Sequence, residues 1–205
     1  RAIAEAFSGS GAEVAIVARR QEVLDEAKAT IEAATGGTIH TIAGDVSTAD
    51  GCQAVWDAAI GAMGQVDVLV NNAGSSHRAP FVEVTDAEWQ ADLDLKLFAA
   101  IRLCRLAFPG MTGRKWGRII NILNTGAKAP PPTGAPTAVS RAAGMALTKV
   151  LAGEGAPHNV LVNSLHVGKI ESDQWVRRAA KEGRPIEEFY ADMGKKLPMG
   201  RIGKA

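Results

Sequence analysis

The sequence predicts an α/β domain in which a parallel sheet is covered by helices on both faces. Three observations predict it. Short β-branched runs alternate with longer stretches of helical spacing. The runs are apolar nearly throughout, as strands buried on both faces should be. The composition, 46% apolar and 22% charged over 205 residues, is that of an ordinary globular domain.

The chain opens on RAIAEAF, which reads as a helix already in progress. Strand runs follow at Glu13–Val17, Thr38–Ile42, Val66–Val70, Arg118–Leu123 and Val160–Leu165. Between them helical spacing covers about 20–34, 48–63, 86–108 and 137–153. Ser47 or Thr48 can cap the third of the early helices, with Gly64 just past its end. Thr85 followed by Glu88 is a capping box that opens the long helix, and Pro109 is expected to end it. Ala129–Pro136 (APPPTGAP) is expected to be loop. Beyond Gly168 the pattern turns polar, and two short helices are expected at about 171–182 and 186–194.

Several function classes have no support. Lys plus Arg is 23 and Asp plus Glu 22, a net charge of +1, so nothing draws the chain to nucleic acid or anionic lipid. Cys52 and Cys104 are the only cysteines. They are too few for a disulfide framework, and no spacing suggests zinc or any other metal. No run of about 18 apolar residues predicts a membrane span. The N-terminus lacks the apolar core of a signal peptide, and a cytoplasmic location is expected.

Val70-Asn71-Asn72-Ala73-Gly74 follows the third strand run. With Phe7–Arg20, Gly44-Asp45-Val46, Trp89 with DLDLKLF, GRIINIL and NVLVNSLHVGKIES, it resembles the short-chain dehydrogenase/reductase family over essentially the whole chain. The resemblance implies a doubly wound, Rossmann-like sheet in a three-layer αβα domain over 1–205, with 169–197 as its substrate-side segment. It implies NAD or NADP as cofactor and hydride transfer between nicotinamide and a small carbonyl or alcohol substrate. It also implies that the family's TGxxxGxG loop and first strand precede residue 1, and that a last strand follows, in a parent of about 250 residues. The alternative is a rearranged sheet in which the Glu13–Val17 and Val66–Val70 runs pair directly.

By the same comparison Arg19 and Arg20 stand where the cofactor is selected. An Arg there accommodates the 2′-phosphate of NADP, and Ala18 occupies the usual acidic position, so NADP is expected over NAD. Asp45, with Val46 beside it, would receive the adenine. Asn71, Ala73 and Gly74 would bring backbone to the adenine ribose, and Gly74 permits it for want of a Cβ. Gly168, Ile170 and Ser172 match the segment that borders the nicotinamide, with Val167 in place of the usual proline.

The family's catalytic set does not carry over. Its tyrosine falls on Thr137, its lysine on Arg141, its serine on Asn124 and its helix asparagine on Lys96. Arg141 can clamp ribose hydroxyls and stays charged. Asn124 can polarise a carbonyl. Thr137 cannot be an efficient acid, because an aliphatic hydroxyl ionises far above a tyrosine's pKa of roughly 10. Lys96 is the first candidate for a replacement acid, if it is desolvated near Arg141. His166 and Tyr190 follow. The plain alternatives are a solvated lysine, a packing histidine and a surface tyrosine.

The helix at about 86–108 carries more apolar positions than one sheet face demands. The resemblance implies that it pairs with the Thr137 helix in a homodimer or homotetramer. Three functions stay open: an oxidoreductase with a substituted site, an NADP-binding protein without turnover, and a fragment that does neither.

Overall fold

The computed structural model describes residues 1–204. Eight α-helices and seven strands follow one another along them. They are α1 (Ala2–Gly9), β1 (Val14–Ala18), α2 (Gln21–Thr35), β2 (Ile39–Ala43), α3 (Ala49–Met63), β3 (Val68–Asn71), β4 (Arg78–Ala79), α4 (Asp86–Leu93), α5 (Ala99–Arg114), β5 (Gly117–Asn124), β6 (Ala135–Pro136), α6 (Thr137–Gly155), β7 (Val160–Val167), α7 (Asp173–Lys181) and α8 (Ile186–Gly194). The chain forms two compact units, Arg1–His166 and Val167–Ala205. The expected substrate-side segment falls in the second.

In the first unit β1 pairs with β2 in parallel from Val14↔Ile39 to Ala18↔Ala43. A three-stranded sheet runs β3-β5-β7, its first pair parallel from Val68↔Arg118 to Asn71↔Asn121. Among the described residues β1 and β3 share no ladder, so the rearranged sheet in which they would pair directly does not form. The main core lies where α5 covers β5 and β7. Cys104, Ala107 and Met111 pack there on Ile119, Val160 and Val162.

The caps form as the sequence dictates. Thr48 accepts from Gly51 N at the start of α3, and Gly64 ends that helix at φ 74°. Thr85 and Glu88 make the reciprocal capping box of α4. Two expectations are corrected. Pro109 does not end the long helix, which runs on to Arg114 and closes on a left-handed Lys115. Proline removes one N–H bond, and the flanking turns keep theirs. The 129–136 loop is not loop to its end, because Ala135–Pro136 pairs antiparallel with Arg78–Ala79. A proline is tolerated in so short an edge ribbon.

In the second unit Ile170 bridges to Gly203. Ala179, Phe189, Met193 and Ile202 form its core, with Trp175, Tyr190 and Leu197 against them. No helix among the described residues is long and apolar enough to cross a membrane.

Candidate active site

The long helix is not regular. Between α4 and α5 the backbone makes a π turn over Asp94–Phe98, with Lys96 in its middle. Such turns widen a helix and redirect one side chain, often at functional sites. Here the redirected chain is Lys96, whose side chain has no exposed surface. Its ammonium donates to Asp92 Oδ1, one helical turn earlier, and to Thr137 Oγ1 at 2.7 Å. The Asp92 carboxylate takes a second bond on Oδ2 from Ser140 Oγ at 2.6 Å. Thr137 opens α6 and donates to His77 O at 2.7 Å, while His77 N–H donates back to it at 3.1 Å. One hydroxyl therefore holds both sides of one residue in the loop after β3.

Arg141 stands one turn beyond Thr137. Its Nη1 donates to Ile122 O at 2.8 Å. Its Nη2 lies against Gly74, where an added Cβ would crowd the guanidinium and force it to shift, so the absence of a Cβ favours this close approach of the Asn71–Gly74 loop. Burial lowers the Lys96 pKa, the Asp92 carboxylate opposes that, and Arg141 adds to it. Burial also lowers the Arg141 pKa, against the pull of Asp92. Arg141 remains charged at any useful pH. The plain alternative for Lys96, a solvated lysine, is thereby overturned.

Asn124 ends β5 with its Oδ1 buried and unpartnered. Its carbonyl accepts from His166 Nδ1 at 3.3 Å, and Ser164 Oγ meets His166 Nε2 at 3.1 Å. Both ring nitrogens of His166 are thus engaged by its neighbours. That is the packing alternative. Asn71 turns its side chain inward. Its Nδ2 donates to Asn121 Oδ1 at 2.8 Å, and Asn121 Nδ2 donates to Thr148 Oγ1 at 2.9 Å. This buried thread ties β3 to β5 and α6, and leaves the backbone of Ala73 and Gly74 exposed. Asn71 also approaches Cys104 Sγ at 3.3 Å. Burial pushes that thiol up to about 11, so it is no nucleophile near neutral pH.

The other end of the site is open. Arg19 and Arg20 are exposed at the end of β1. With Ala18 and Val23 they line a groove of about 400 Å³. Arg20 stands at the N-cap of α2 with no side-chain cap bond, so the first turn keeps N–H groups to offer an anion. Asp45 Oδ1 accepts from Ser47 N at 3.0 Å. The Ser47 N–H and hydroxyl hold the Asp45 carboxyl below its usual range, with Arg19 adding to the effect. Val46 beside it packs against Ile42, Val55 and Ala59. Two free cations at an uncapped helix start, and a loop approachable because Gly74 lacks a Cβ, fit a phosphorylated dinucleotide.

Thus Lys96, Thr137 and Arg141 come together, and Arg19 comes near Asp45. Gly168, Ile170, Ser172 and Tyr190 lie in the second unit. There Glu171 N donates to Gly203 O at 2.9 Å, and Ser172 precedes α7. Sequence reasoning missed Asp92 and Ser140. The signal for Asp92 was its spacing, four residues before Lys96. Ser140 offered none beyond its place next to Arg141. Among the described residues no cluster of three or more His, Cys, Asp or Glu could hold a metal ion.

The family model for short chain dehydrogenase matches residues 1–183. An uncharacterized oxidoreductase of Bacillus subtilis (strain 168), YvrD, is 34% identical over 169 residues, 82% of this chain and 63% of that protein. The chain spans about three fifths of the length of several such curated relatives. L-sorbose reductase from Gluconobacter frateurii, solved with NADPH and L-sorbose, superposes at a TM-score of 0.93 and 31% identity, over 99% of this chain and 79% of that one. An NADPH-bound short chain oxidoreductase from Pseudomonas aeruginosa PAO1, described as containing an atypical catalytic center, gives 0.88 and 32%, over 98% and 78%.

Proposed function

The chain belongs to the short-chain dehydrogenase family, and we propose that it is an NADP-dependent oxidoreductase acting between nicotinamide and a carbonyl or secondary alcohol. The observation that carries this reading is the contact of Lys96 Nζ with Thr137 Oγ1 at 2.7 Å. It sits where the family's tyrosine and asparagine positions fall, and all four catalytic positions are read as substituted. When bound, the cofactor supplies the hydride. Arg19 and Arg20 would hold its 2′-phosphate, Asp45 its adenine, the Ala73–Gly74 backbone its ribose, and Arg141 the nicotinamide ribose.

Asn124, with its Oδ1 turned inward, offers its NH2 to the substrate oxygen. Thr137 acts as a relay rather than an acid. Its hydroxyl gives its proton to the substrate oxygen, and Lys96 Nζ replaces it from behind. At rest that hydroxyl donates to His77 O, so delivery requires that bond to be given up. Burial lowers the Lys96 pKa first of all, with Arg141 adding to it, and brings the ammonium closer to a useful acid. Carbonyl reduction should then fall as pH rises through the lowered Lys96 value.

A second reading, cofactor binding without turnover, is favoured by one fact. Thr137 is 4% exposed, and its hydroxyl is fully engaged. Titration with NADPH and NADH, followed by nicotinamide fluorescence and thermal shift, comes first. Preferential NADPH binding supports both readings, and binding of neither removes both. Turnover with a carbonyl panel then separates them. If Lys96→Met leaves the pH–rate profile unaltered, the relay is wrong.

The apolar face of α6 that carries Val139 and Val150, 51% and 56% exposed, with Phe98 at 39%, supports self-association through these helices. Sedimentation of the Val150→Asp variant as a monomer would agree. Two free buried thiols suit a reducing compartment such as the cytoplasm.

A further inference from the structure

We propose that Asp92, held by Ser140, is the positioning residue of this site, anchoring the Lys96 ammonium against Thr137 Oγ1. The proposal rests on the Lys96 reading above and extends it to two residues with no part in that reading. Asp92 is 6% exposed and Ser140 1%. A carboxylate so buried needs every lone pair satisfied, and here the division is specific. Oδ1 receives Lys96 Nζ and lies 3.4 Å from Thr137 Oγ1, and Oδ2 receives Ser140 Oγ at 2.6 Å. Ser140 is itself fixed in the first turn of α6, with its Oγ 3.1 Å from Thr137 O. The serine therefore decides which carboxylate oxygen faces the lysine, and the same helical turn presents Thr137 to the ammonium.

The charges around Lys96 make Asp92 the partner that matters. Arg141, on α6, repels the ammonium. From the loop after β3, His77 presents its backbone to Thr137, while its ring is 3.3 Å from Glu88. In the π turn Asp94 is taken up by Gln90 and Arg102. Asp92 is thus the anion in contact with a fully enclosed cation. Without it, desolvation and Arg141 act unopposed, and the lysine sheds its proton at lower pH.

The experiment is an NMR titration of the ¹³Cε resonance of Lys96 in the full chain. The resonance is identified by its loss in Lys96→Met, and it is followed in wild type, Asp92→Asn and Ser140→Ala. We expect the Asp92→Asn midpoint to fall by at least about one pH unit, a roughly tenfold change in proton affinity. Ser140→Ala should fall by less, because the charge stays and only its aim is lost. The alkaline limb of the reduction profile should move by the same amounts in the same order. A role confined to stability would lower the rate at every pH and leave both midpoints in place. Should Asp92→Asn not fold, Ser140→Ala decides alone, since it keeps the ion pair. Unshifted midpoints in the folded variants overturn the proposal while leaving Lys96 as the proton source. A Lys96→Met enzyme with an unchanged profile instead removes the underlying reading, and Asp92 with it.

Discussion

The first unit holds two ends of one candidate site built on opposite principles. At the proposed cofactor end Arg19, Arg20 and Asp45 are exposed. At the reaction end Asp92, Lys96, Thr137 and Ser140 are each no more than 6% exposed, and they satisfy one another. Exposed charges cost the fold little and serve a ligand. Enclosed charges are bound to the fold, because the loss of any one strands its partner. The open end can therefore be altered in affinity alone. The closed end can be altered only together with stability.

The sharpest way to break this comparison is at Lys96. Lys96→Met leaves the Asp92 carboxylate buried and unpaired, and should cost about 3–5 kcal/mol in urea unfolding. Asp92→Leu combined with Lys96→Met should recover most of that loss. A single variant that unfolds at the wild-type midpoint would show that the reaction end is not closed. The pH dependence has a definite sign. The folded pKa of Lys96 is lowered, so above that value the unfolded chain binds more protons. The stability due to this group then rises with pH up to about 10.4.

Thr137→Val keeps the shape and removes the hydroxyl. It strands the His77 N–H and C=O and removes a partner of Lys96, and should cost about 1–3 kcal/mol by thermal or urea unfolding. At the open end the signature reverses. Arg19→Ala should leave stability within about 0.5 kcal/mol while weakening NADPH binding roughly tenfold and NADH binding hardly at all. A loss shared equally by both cofactors would place the 2′-phosphate elsewhere. Thr48→Ala is the smallest change, about 1 kcal/mol of stability through the cap of α3, with cofactor affinity unaltered. If affinity fell too, the α3 start and the Asp45 turn before it would be coupled.

What could be read from the sequence divides along the same line. Strands, helices and caps were legible because each has a local cause, as at Thr85 with Glu88 and at Thr48. The cofactor end was read from the family resemblance, and the structure adds that Arg19 directly follows β1 and that Asp45 lies two residues past β2. The closed end was only half legible. Lys96 and Thr137 could be named, but whether they touch depends on the π turn at Asp94–Phe98, which no local rule forecasts. Asp92 looks like any polar residue on a helix face until burial is known. The β4–β6 ribbon was hidden because its two strands are two residues each and its paired residues lie 56 and 58 positions apart. The helix beyond Pro109 was missed because a breaker was read without weighing the turns around it.

The double hold of Thr137 on His77 gives the molecule a reporter of its own state. The His77 amide proton is donated to the hydroxyl that Lys96 also contacts. Exchange of that proton with deuterated solvent therefore requires the contact to open. A single backbone resonance, followed with time, records how often the loop after β3 lets go of Thr137, with no substrate and no turnover needed.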